Sequence, residues 1–265
     1  MKIQYVSDLH LELADNSKYI KKHPLPVVGD VLLIAGDTGY FGTDQYKNMK
    51  FWKWCSENYK ATIVCPGNHE FYNYYDVKPL LGISEVVGTP ILPVELAPNV
   101  FLCYNSTVNI GDIDVIVSTL WGEIKPNDVY ITEHSINDFY RIKWGDHRLS
   151  AEHFNELNAD CKMFITKAVA ESNAKTKIVL THHLPSPLLV APEYKNSNAN
   201  GAFMCDMTSY IMDSDIDYWV YGHSHNNIDY QIGNTRLVAN QMGYVFNCEN
   251  IHNGFKPDKF IEIPD

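Results

Sequence analysis

Apolar positions along the chain fall into two periods. Short runs at 3–6, 31–35, 61–65, 101–104, 114–118, 178–181 and 217–221 are nearly continuous and rich in Val and Ile. Runs this brief predict strands covered on both faces. Between them the period lengthens to that of a helix. The pattern predicts one helix over about 44–58, with Met49, Phe51, Trp52 and Cys55 inward, and a long one over about 150–173. In the second, Phe154, Leu157, Cys161, Phe164, Ile165 and Ala168 share a face, and Ser150 and His153 sit at the cap and first turn. A further helix is expected over about 202–212. Residues 229–232 and 237–239 flank Gly233-Asn234, a hairpin signal, and 260–263 reads as a last strand. Early β-α-β units followed by strand-rich segments predict an α/β fold of two mixed sheets packed together, with helices outside. No repeat, low-complexity segment or linker divides the 265 residues, so one domain over 1–265 is expected.

Composition narrows the function. The chain is 45% apolar and carries a net charge of -11, with arginine only at 141, 148 and 236. Broad duplex-DNA binding needs a basic surface and is not expected. Six scattered cysteines without a Cys-x-x-Cys pair argue against a zinc knuckle or a disulfide scaffold. Reduced thiols, no signal peptide and no long apolar stretch give the expectation of a cytoplasmic protein with no membrane association.

Five of the predicted strands end in loops of metal-ligand residue types. These are Ser7-Asp8-Leu9-His10, Gly36-Asp37, Gly67-Asn68-His69-Glu70, His182-His183 and Gly222-His223-Ser224-His225. Six of the eleven histidines lie in them. Any one loop is a common turn; five in order, each after a strand, point to one crevice where strand ends converge. Such residue types can hold cations, and two cations about 3.5–4 Å apart can clamp the attacking and leaving oxygens of a displacement when an anion bridges them. Nitrogen and oxygen ligands without sulfur suit manganese, iron, cobalt, nickel or zinc. No P-loop, no cysteine followed six places on by arginine and no Gly-x-Ser-x-Gly elbow is present.

This series resembles the calcineurin-like metallophosphoesterase superfamily, from Asp8 to about Tyr244. Ser7-Asp8-Leu9-His10-Leu11-Glu12, Thr119-Leu120-Trp121, Asn137-Asp138-Phe139 and Gly243-Tyr244 are similar to its small stand-alone microbial branch. The resemblance implies a four-layer α/β/β/α sandwich. It implies two divalent transition-metal ions, manganese foremost. Asp8, His10 and His225 would hold one, Asn68, His182 and His223 the other, and Asp37 both. His69 would be the catalytic residue, reaching the leaving group or a phosphate oxygen. The substrate would be a phosphomonoester or small phosphodiester, attacked by a metal-bound hydroxide. His183 competes with His182 as a ligand; directly following the strand favours His182. Two other classes remain: a non-catalytic interaction scaffold on the same fold, against which every ligand type is retained, and a metal-dependent nuclease, against which the low arginine count weighs.

One departure matters. Relatives carry an aspartate three residues after the bridging one to orient the catalytic histidine; here that residue is Tyr40. Glu70 or a backbone carbonyl is expected to take over. His69 is then either a general acid or only a hydrogen-bond donor to phosphate. Phe71, Tyr72, Tyr74 and Tyr75 read as core or cover before base stacking, and Trp121 equally as cleft wall or core. Residues 123–147 read as a polar loop over the cleft, and 192–201 as a loop able to influence substrate choice. Arg141 or Arg148 could steady a phosphate, with a surface ion pair the expectation for each, and Asn200 could reach the site, with a helix-capping role the expectation.

Overall fold

Alternation within the apolar runs sorts their side chains between two cores. The structure, a computed structural model, describes residues 1–81 and 93–264. The chain runs β1 (Lys2–Val6), α1 (Ala14–Lys22), β2 (Val31–Ala35), α2 (Asp44–Lys47), α3 (Lys50–Asn58), β3 (Ala61–Cys65), β4 (Val94–Ala97), β5 (Val100–Leu102), β6 (Ser106–Ile110) and β7 (Ile113–Ser118). It continues α4 (Val129–Ser135), α5 (Asp138–Arg141), β8 (Lys143–Trp144), β9 (His147–Arg148), α6 (Ala151–Glu171), β10 (Thr176–Thr181) and α7 (Thr208–Asp213). It closes with β11 (Tyr218–Tyr221), β12 (Tyr230–Ile232), β13 (Thr235–Ala239), α8 (Glu249–His252) and β14 (Phe260–Glu262).

Two six-stranded mixed sheets result, ordered β14-β1-β2-β3-β5-β4 and β12-β13-β11-β10-β7-β6. In each, four central strands are parallel and the two edge strands antiparallel. Val31, Leu33 and Ala35 of β2 face Val115, Val117, Ile178 and Leu180 of the second sheet, in one core between the layers. Leu32 and Ile34, one residue out of phase, pack outward on Trp52 and Cys55 of α3. On the opposite outer face Phe154, Leu157, Cys161 and Ile165 of α6 cover Val179, Trp219 and Leu237. This is the four-layer α/β/β/α sandwich. Covering both faces of β2 explains why it reads as an unbroken apolar run.

The long helix and the Gly233 hairpin form as expected; Ser150 accepts a bond from the His153 N–H at 3.3 Å. Other elements differ. The helix expected over 44–58 is two, because Met49 is extended (ψ 128°) and caps α3 while Asn48 folds back on Asp44. The helix expected over 202–212 begins only at Thr208. Its first half is drawn across to another loop, with the Cys205 and Met207 N–H groups donating to Leu184 and Pro185 carbonyls. Residues 123–147 are no simple loop: they hold α4, α5 and the start of a β8–β9 hairpin. All six cysteines are free thiols, five of them buried. No helix among the described residues is long and apolar enough to cross a membrane.

Candidate metal centre

The carboxyl ends of β1, β2, β3, β10 and β11 meet at one edge of the sandwich, bringing the five loops together. The turns there are tight. Asp8, His10, Asp37, His223 and His225 all have left-handed backbones, with φ between 45° and 75°. Non-glycine residues pay for that conformation, and its concentration on one cluster marks a site where geometry is imposed by function. A side chain on Gly67 would collide with the Asp37 carboxylate and the His182 ring. Only glycine lets the Asn68 loop come so near.

Two donor sets share Asp37. In the first, His10 Nε2 lies 3.0 Å from His225 Nε2, and His225 Nε2 lies 3.4 Å from Asp8 Oδ1. Asp37 Oδ2 is 3.8 Å from His10 Nε2. In the second, His182 Nε2 lies 3.0 Å from Asn68 Oδ1, 3.1 Å from His223 Nδ1 and 3.4 Å from Asp37 Oδ1. Cations with bonds of about 2.1 Å set neighbouring donors about 3.0–3.4 Å apart, so these spacings fit two metal shells. The structure gathers Asp8, His10 and His225 around one point, Asp37, His182 and His223 around another, and His10, Asp37 and His69 around a third between them. His183 stays outside: its Nδ1 faces the Thr119 carbonyl at 3.3 Å and its ring packs on Trp121 and His223.

Partners behind the donors fix their directions. His10 Nδ1 bonds Glu12 at 3.2 Å, His225 Nδ1 bonds Glu249 at 2.7 Å, and His182 Nδ1 bonds the Ala35 carbonyl at 2.8 Å. Each bond leaves the other ring nitrogen to face a metal. Asn68 donates from Nδ2 to Asp138 at 2.9 Å, which turns its oxygen toward His182. Burial lowers the pKa of His10 and His182 to about 4, leaving both neutral and able to ligate. Burial opposes ionisation of Asp8, yet hydrogen bonding to His225 holds it at about 2. Asp37 is pushed well up by burial and by the charges of Glu70 and Asp8.

His69 stands at the rim of the first set. Its Nε2 is 3.9 Å from Asp37 Oδ2 and 3.5 Å from the Tyr244 hydroxyl. The residue that orients it is Glu12, 2.8 Å from Nδ1. This corrects the expectation for Glu70. That buried carboxylate accepts the N–H groups of Asp37, Thr38, Gly39 and Gly67, so it ties two ligand loops together and is turned away from the His69 ring. Burial works against the Glu12 charge, but hydrogen bonds from His10 and His69 hold its pKa at about 2. The Ser-Asp-Leu-His-Leu-Glu start contains Glu12, so the signal was in the sequence; its contact with a residue 57 positions away was not. Asp138 likewise lies in the quoted Asn137-Asp138-Phe139 segment, without its contact to Asn68 being readable there, and Glu249 lies in no such segment.

A cleft of about 660 Å³ opens over the donors, lined among others by Tyr40, Tyr72, Arg141, Asn200, Phe203 and Tyr244. Phe71 and Trp121 are buried and stack on each other, so both are core. Tyr72 instead stacks on His69 at 4.3 Å, Tyr74 is exposed and Tyr75 half-buried. Arg141 and Arg148 form no ion pairs among the described residues; each lies over a tyrosine ring, Tyr72 and Tyr140, at 5.4 Å. Asn200 does not cap α7: it donates to the Tyr194 carbonyl, folding the 192–201 loop over the cleft.

The calcineurin-like phosphoesterase family matches residues 1–227. An uncharacterised protein of Acanthamoeba polyphaga mimivirus is 31% identical, over 98% of this chain and 96% of its own length. Among solved structures, the phosphopantetheinyl hydrolase of Mycobacterium tuberculosis superposes with a TM-score of 0.71. That match covers 100% of this chain and 96% of the other at 14% identity, a likeness of fold. With its ligand loops lying inside the matched segment, the chain belongs to the calcineurin-like phosphoesterase family.

Proposed function

We propose that the protein hydrolyses a phosphomonoester or small phosphodiester with two divalent transition-metal ions, manganese foremost. Asp8, His10 and His225 hold one ion, Asn68, His182 and His223 the other, and Asp37 spans both. The observation that carries this reading is the pair of donor sets sharing one carboxylate at 3.4 and 3.8 Å. When bound, the two ions supply positive charge to the phosphate and lower the pKa of a water that attacks it.

The chain's own residues do the rest. His69 faces the cleft beside Asp37 and hands a proton to the departing oxygen. Glu12, ionised and hydrogen-bonded to Nδ1, stabilises the imidazolium that holds that proton and fixes the ring. Tyr72 and Tyr244 flank the ring and restrict its rotation. This geometry favours the general-acid reading over a mere hydrogen-bond donor, because a carboxylate partner is present despite Tyr40.

The test is turnover of 4-nitrophenyl phosphate and bis(4-nitrophenyl) phosphate by protein loaded with manganese, zinc, iron, cobalt or nickel, alongside metal analysis. A phosphopantetheinyl ester belongs on the panel, given the activity named for the M. tuberculosis protein. Turnover with about two ions per chain is expected; tight binding of two ions without turnover of any ester would leave only a scaffold.

A further inference from the structure

Arg141 is an exposed cation that forms no ion pair among the described residues. It is the only lysine or arginine among the described residues lining the cleft. Its guanidinium lies over the Tyr72 ring at 5.4 Å and donates to the Tyr40 hydroxyl at 3.3 Å. None of the described carboxylates lining the cleft pairs with Arg141. Glu249 bonds His225, Asp138 bonds Asn68 and Tyr72, and Asp37 spans the donor sets. Arg236, by contrast, has Asp229 at 3.8 Å.

The backbone beneath Arg141 is fixed as well. Its carbonyl accepts the Tyr74 N–H at 2.8 Å, and Lys143 exchanges bonds with Tyr75 and Val77. The segment is thereby tied to the chain that leaves the His69 loop. The Tyr72 ring touches both the His69 ring and the guanidinium. The cation therefore sits one ring away from the group that faces the departing oxygen. Tyr40 makes this possible: an aspartate there would pair with Arg141, whereas a phenol holds the guanidinium and leaves its charge free.

We propose that Arg141 forms a second anion subsite, selecting phosphate esters whose leaving portion carries a further carboxylate or phosphate. This rests on the phosphoesterase reading, and a rigid guanidinium fork suits either anion. A charge-assisted contact of this kind is worth about tenfold to a hundredfold in affinity.

Non-hydrolysable analogues test it by calorimetry on manganese-loaded protein: benzylphosphonate, 4-carboxybenzylphosphonate and 1,4-xylylenediphosphonate. At least one of the two doubly anionic probes should bind about tenfold or more tighter than benzylphosphonate, and which one does so separates a carboxylate from a phosphate preference. Arg141→Met should erase the difference while leaving benzylphosphonate affinity unchanged, Arg141→Lys should restore part of it, and Tyr40→Phe should reduce it. Equal affinities in the unaltered protein, or a preference that survives Arg141→Met, overturns the subsite. Failure of every probe to bind, together with no turnover of either 4-nitrophenyl phosphate or bis(4-nitrophenyl) phosphate, removes the phosphoesterase reading and the subsite with it.

Discussion

Behind His10 and His225 stand carboxylates, Glu12 at 3.2 Å and Glu249 at 2.7 Å. Behind His182 stands a backbone carbonyl, and the outer nitrogen of His223 has no hydrogen-bond partner among the described residues. The front donors differ in the same sense. One set has the anionic Asp8, the other the neutral Asn68, and Asp37 belongs to the second while standing 3.8 Å from His10 of the first. Two sets built from nearly the same residue types are therefore electrostatically unequal. Carboxylates behind imidazoles raise their basicity and hold them in line. The Asp8 set should grip a divalent ion, and the Asn68 set should exchange one.

The severest way to break this contrast is to remove what the sets share. Asp37→Asn takes away the one anion spanning both and should lower metal content at both positions and abolish turnover. Retention of full activity with two ions would show that the sets do not depend on a common bridge. Next in size is His69→Ala. It should slow the chemical step by about 10²–10⁴ with metal content unchanged, since His69 stands beside the first set without completing it. Metal loss in this variant would make His69 a ligand and redraw the first set.

Much of this inequality could not be read from the sequence, although the loops that carry these residues could. The loops were legible because each follows a strand covered on both faces, as in β2, where Leu33 and Ile34 serve opposite cores. Elements with weak apolar patterns were not. Only Asn16 of α1 is buried, and β4 and β6 are half-exposed edge strands. The residues behind the ligands were hidden for another reason. Glu12, Asp138 and Glu249 act across 57, 70 and 24 positions of sequence. Periodicity reports which face of an element is covered, and it carries nothing about which carboxylate a folded loop brings to an imidazole.

Metal removal sharpens the contrast directly. Under graded chelation one ion should leave well before the other, and Asp8→Asn should make the two losses coincide. Glu249→Gln should cost about 10–100-fold in affinity for the retained ion, the usual effect of such an outer partner. Simultaneous loss from the unaltered protein would mean that the bridge outweighs every difference behind it.

The smallest effects discriminate best. Glu12 and Asp138 each use a single oxygen for two donors, Glu12 for His10 and His69, Asp138 for Asn68 and Tyr72, and the other oxygen of each has no hydrogen-bond partner among the described residues. An amide in either place still offers one accepting oxygen, so the exchange removes charge and keeps direction. At Glu12 the charge supports the ring that faces the departing oxygen, and Glu12→Gln should cost about 10–100-fold in kcat. At Asp138 the partners are a neutral amide and a phenol, so only direction matters, and Asp138→Asn should cost no more than a few-fold in affinity for the second ion. Asp138→Leu, which frees the Asn68 amide to rotate, should cost distinctly more. If Asp138→Asn proves as damaging as Glu12→Gln, the second set leans on charge as the first does, and the inequality between them disappears.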